Sequence, residues 1–168
     1  MATPDPIAAL AEVMVVPADA VADVLDVLNL ADVALIDRPT AVVLHAAQQL
    51  AAAGIRPTAE ALNGRLSQTG QYDGHRGKLV ANRVLDAATT APIVTDSPAR
   101  AVLAEVVAPI AEQLLLDKLA AMGTALVEYT SDGRLYDAVA GLSRDYREVT
   151  RVHGFVRALH AMTEGAAS

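Results

Sequence analysis

Leu135, Val139, Leu142, Tyr146, Val149, His153, Val156 and His160 follow one another at intervals of four and three residues. That spacing is the heptad seam of helices lying side by side. A strand repeats every two residues and cannot use it. Upstream, Ser97-Pro98 places a capping residue before a proline that fits the first helical position. A helix is predicted from there to about Tyr129, with Leu115, Leu119, Met122 and Leu126 at matching spacing. Thr130-Ser131-Asp132-Gly133 reads as a turn. The pattern therefore predicts a long antiparallel helical hairpin over residues 97–163. Pro109 lacks an N–H and is expected to kink or break the first arm.

The core must suit those helices. Aromatic residues make up 3% of the 168 residues and Trp is absent, while about one residue in five is Ala. Alanine is the best helix former. A core of Ala, Leu and Val favours closely packed helices, and hydrophobic residues at 53% can build one. The fold class expected is all-α.

Residues 1–92 are expected to form a compact five-helix subdomain ahead of the hairpin. One helix starts near Pro6 and runs through Val16. A second covers Ala18 to Leu30, with Val21, Val24, Leu25 and Leu28 on one face and Asp19, Asp23 and Asp26 off it. A third starts near Pro39, buries Val42, Val43, Ala46, Ala47 and Leu50, and stops at Gly54. Thr58 caps a fourth, with Leu62 and Leu66 inward and Gly70 as its stop. Gln71 to Lys78 reads as a polar loop, followed by a helix from about Leu79 to Ala88.

Two helices bury too little alone. Leu103, Val107, Ile110 and Leu114 exceed what one partner arm can cover. With Leu115, Leu119, Leu135, Val139, Leu142, Tyr146 and Val149 they form a candidate interface. The chain is expected to pair with a second copy, as a dimer or a ring, the alternative being that the hairpin folds back on its own domain.

No residue set suggests chemistry. Gly74-His75-Arg76-Gly77-Lys78-Leu79 imitates a phosphate-binding loop, but Tyr72 stands where the first Gly belongs and Leu79 where the hydroxyl belongs. His153 and His160 are two helical turns apart, about 10 Å, too far to share a zinc ion held at about 2 Å. His45 reads as a helix residue near the core edge. Glu128 and Asp132 make a plausible carboxylate pair with no nucleophile beside it. No catalytic residue, cofactor or metal is expected. Thirteen basic residues against twenty acidic ones give a net charge of −7, which opposes autonomous binding to nucleic acid. His75, Arg76, Lys78 and Arg83 are the one basic cluster. There is no cysteine, which suits a reducing cytoplasm. The first residues lack a basic region of the signal-peptide kind, and Glu105, Pro109 and Glu112 interrupt the most apolar stretch. A cytoplasmic protein with no membrane partner is expected.

The order of these elements resembles the N-terminal domain of DnaB-type replicative DNA helicases. The residues that carry the resemblance are Ala9 to Val13, Ala22 to Leu28, Arg38-Pro39, Leu50 to Gly54, Pro57-Thr58 and Leu66 to Gly70, with the hairpin following. It covers about residues 6 to 150, and its specificity lies in order and spacing. The resemblance implies a non-catalytic collar domain of a hexameric ring. Such a domain pairs through its hairpin and docks primase or a helicase loader, its ATP-dependent motor lying in a separate domain. The alternative is a helix-turn-helix DNA-binding regulator. Its two helices would be Pro57 to Leu66 and Lys78 to Ala88, with the hairpin as dimerisation arm.

Overall fold

The computed structural model describes residues 3–93, 97–131 and 135–165, except the side chain of residue 135. Among them every regular element is a helix. Six short helices precede the pair: α1 (Pro6–Val15), α2 (Ala18–Leu25), α3 (Leu30–Ile36), α4 (Arg38–Ala52), α5 (Ala59–Gln68) and α6 (Gly74–Thr89). Two long ones follow, α7 (Ala99–Ser131) and α8 (Leu135–Glu164).

Local chemistry sets most of the boundaries. The Asp5 carboxylate accepts from the N–H groups of Ile7 and Ala8 at 3.0 and 3.1 Å and starts α1. Thr58 caps α5 by accepting from the N–H of Ala61. Gly54 takes φ +73°, and the Ile55 N–H reaches back to the Leu50 carbonyl at 2.9 Å. That closes α4 with a left-handed residue only glycine adopts freely. Gly70, at φ +66°, ends α5 in the same manner.

Three expectations need correction. The stretch from Ala18 to Leu30 is not one helix. Asn29 accepts from the N–H of Ala31 and opens a separate helix, α3, so six helices precede the pair rather than five. Secondly, Gln71 to Lys78 is not all loop, because α6 begins at Gly74. Gly77 makes this possible. A Cβ there would come within 2.0 Å of the Tyr72 backbone, so the first turns of α6 rest directly on the joint. Finally, of the kink or break expected at Pro109, the break does not occur, since α7 runs through it. Pro109 has no N–H to give the Glu105 carbonyl, and Ala108, Ile110 and Ala111 stay buried around it.

One continuous core joins the six short helices to the base of the pair. Leu10, Val13, Val21, Leu25, Val43, Leu44, Leu62 and Leu66 meet Leu103, Val107, Leu114, Val152 and Leu159. α7 packs on α1, α2 and α3, and along its length on α8. The proximal half of the pair therefore belongs to the core. The distal half, from about residue 115 to about residue 149, projects beyond it.

Polar contacts pin the base. Asp32 of α3 is buried, and its Oδ2 lies 2.8 Å from Arg151 Nη1 on α8. The contact is off the line an N–H needs, so it is an ion pair rather than an aligned hydrogen bond. Glu148 holds Nη2 of the same guanidinium at 2.6 Å, and the Phe155 ring lies beneath it. Asp32 first, then Glu148, raises the Arg151 guanidinium above its ordinary, already alkaline, value. Asp37 caps α4 through the N–H of Thr40 and also holds Arg83 of α6 at 2.8 Å.

Candidate functional site

The distal arm carries the least ordinary surface. On α8 the buried stripe is Ala138, Gly141, Val152, Val156 and Leu159, with Phe155 and Met162 partly buried beside it. These positions also recur at heptad spacing, but lie mostly one residue before the expected seam. Gly141 shows why. A Cβ there would stand 2.9 Å from Tyr129 Cε2, so the tyrosine ring of α7 fills the space a side chain would take. Small residues bring the two helices together, and the large ones turn outward.

The expected interface residues therefore divide into three groups. Leu103, Val107, Ile110 and Leu114 are buried in the core of their own chain. For these four the fold-back alternative holds: α7 packs there on α1, α2 and α3 of its own chain, and no second copy is needed to cover them. Leu115 and Val149 are half-buried at the root of the arm. Leu119, Val139, Leu142 and Tyr146 are exposed, Val139 by 59% and Tyr146 by 64%. The side chain of Leu135 lies outside the described residues. So does Asp132, the expected partner of Glu128.

Several exposed apolar residues escaped the heptad pattern. Leu116 and Val127 on α7 and Tyr136 on α8 are open to solvent, Val127 by 64%. Leu126, assigned to the seam, is exposed too. The signal lay in the stretch from Leu119 to Val127, which contains no charged residue. An uncharged helix face of that length calls for cover. Leu116, Leu119, Leu126 and Val127 share one face of α7, and Val139, Leu142 and Tyr146 share one face of α8.

The polar candidates do not converge. His153 is exposed, and His160 pairs with Glu112 of α7 at 3.0 Å. His45 is an exposed residue of α4 against Gln49, next to buried Ala41 and Ala46. Among the described residues no three His, Cys, Asp or Glu side chains stand close enough to hold a metal ion. Arg83 leaves the basic cluster for Asp37, while His75, Arg76 and Lys78 remain exposed on the first turns of α6. Burial raises the Tyr72 hydroxyl, which bonds Asn63 and braces the α5–α6 joint. Among the described residues no helix is long and apolar enough to cross a membrane.

No family model, no curated protein and no solved structure matches the chain.

Proposed function

We propose that this chain is a non-catalytic, self-associating helical module whose distal arm pairs with a second copy. The observation behind this reading is the uncovered apolar face of the arm, Leu119, Leu126 and Val127 on α7 with Val139, Leu142 and Tyr146 on α8. Soluble monomers rarely leave contiguous apolar patches larger than a few hundred Å² uncovered. Two hairpins laid face to face would close that surface as a four-helix bundle. The sequence resemblance extends the reading to a replicative-helicase collar that docks primase or a helicase loader.

Light scattering on the full chain tests the pairing. A dimer or larger species is expected, and the double substitution Val139→Asp/Leu142→Asp should return it to a monomer with unchanged helical content. A wild type that stays monomeric at high concentration would end this reading. A pull-down against primase, with the same double variant beside it, tests the docking separately.

One observation favours the helix-turn-helix alternative. With α6 starting at Gly74, only residues 69–73 separate it from α5, close to the three or four residues such a turn uses. His75, Arg76 and Lys78 sit exposed at its start. A gel shift with random duplex at low salt would reveal it, and no shift would remove it.

A further inference from the structure

A second open surface lies among the six short helices. α3 and α5 both pack on α4 and leave a groove of about 480 Å³ between them. Its floor and walls are Leu30, Ala34, Val42 and Leu66, with His45 and Gln49 along one side. Leu30 and Val42 are only partly buried. A helix is about 10 Å across, so one more helix laid here would complete the layer that α3 and α5 leave open.

Charge says which kind of helix. The chain carries 20 acidic residues, yet none lines the groove. Its polar lining is His45, Gln49, Thr69 and Gln71, and two arginines stand beside it. Arg38 is exposed one turn before Val42 on the same face of α4. Arg65 of α5 donates to the Gln49 oxygen through Nε and Nη2 at 3.0 and 2.8 Å. The amide nitrogen of the same Gln49 meets His45 at 2.9 Å, so Arg65 of α5 is tied to the polar side of α4. A second copy is the other occupant to test: on its arm Arg144 and Arg147 beside Leu142 and Tyr146 alternate with Asp145 and Glu148, so its charge is mixed where the groove's neighbours are cationic.

We propose that the groove docks an amphipathic helix of a partner protein, apolar on the face it buries and acidic along its flanks. Apolar anchors at i, i+3 or i+4, and i+7 would enter between α3 and α5. Carboxylates beside them would meet Arg38 and Arg65. This surface shares no element with the arm, so it stands or falls apart from the self-association.

The test is a selection from a displayed library of random helical peptides, run on the full chain. The recovered peptides are then measured by fluorescence anisotropy against the wild type, Val42→Glu and Arg38→Glu/Arg65→Glu. Enriched peptides should share the apolar spacing and an excess of Asp and Glu. Val42→Glu should abolish their binding. The arginine double variant should weaken it at least tenfold while leaving the helical content unchanged. Selection of no peptide, or of neutral or basic ones, would overturn the proposal. So would peptides that bind both variants as well as the wild type. Since the chain has no native cysteine, mixing Ala34→Cys with Leu142→Cys checks the other occupant. A disulfide between positions 34 and 142 of two copies would assign the groove to a second copy and also overturn the proposal.

Discussion

Single residues decide where this chain can bend and where it can touch itself. Gly77 is the tightest case, since any side chain would drive into the Tyr72 backbone, which cannot swing aside. Gly77→Ala should cost about 1–3 kcal/mol, the usual penalty of overpacking, read as a lower urea midpoint. Gly64 is its control. It sits in α5, and a Cβ added there would meet nothing within 4 Å. Gly64→Ala should therefore stabilise by up to about 1 kcal/mol through helix propensity. Equal effects of the two substitutions would contradict the contact at Tyr72. The sequence shows both glycines inside or beside helical patterns. It does not distinguish them, because the difference lies in what the neighbouring joint brings close.

Helices act as units through a few side chains at their crossings. Arg151 ties α8 to α3 through buried Asp32. Arg151→Met should leave that carboxylate without its cation. Losing one partner of a fully buried pair costs about 3–5 kcal/mol, but a third of the Arg151 side chain meets solvent. The expected loss is therefore smaller, about 1–3 kcal/mol, after allowance for screening. Asp32→Ala/Arg151→Met should recover part of it, as a thermal-melt cycle would show. The raised Arg151 guanidinium stays charged far into alkali. Its share of stability is present below its ordinary value and lost only as pH rises through the still higher folded one, so it should not vary between pH 6 and pH 9, roughly. In α7, Pro109→Ala restores an N–H for the Glu105 carbonyl and should raise the melting temperature. A lower one would mean that the proline ring is needed for packing between Ala108 and Ile110.

At the scale of the molecule, burial separates two kinds of leucine that look alike in the sequence. Leu159 is fully buried, and Leu159→Ala should cost about 2–5 kcal/mol. Val139 and Leu142 are exposed, so Val139→Asp/Leu142→Asp should change monomer stability by less than about 0.5 kcal/mol per site. Light scattering should nonetheless show a loss of association. A variant that unfolds instead would place those side chains in the core and refute the exposed face. The arm thus has a mostly dry base, where Val152, Val156 and Leu159 join the common core, and an apolar tip that its own chain does not cover.

The amino-acid sequence by itself determined the helical class, the long pair and most of the stops. These depend on local chemistry: the cap at Thr58, the left-handed glycines 54 and 70, the proline after Ser97. The small helix α3 was hidden because it is only seven residues long and follows α2 almost directly. The side of α8 that faces inward was decided only by tertiary structure. Two neighbouring stripes share the same 4-3 spacing, and hydropathy favours the one holding Val139, Leu142 and Tyr146. The close approach of Tyr129 to Gly141 favours the other. Packing distance between helices outweighs side-chain hydrophobicity here, and it leaves the larger side chains on the outside of the arm.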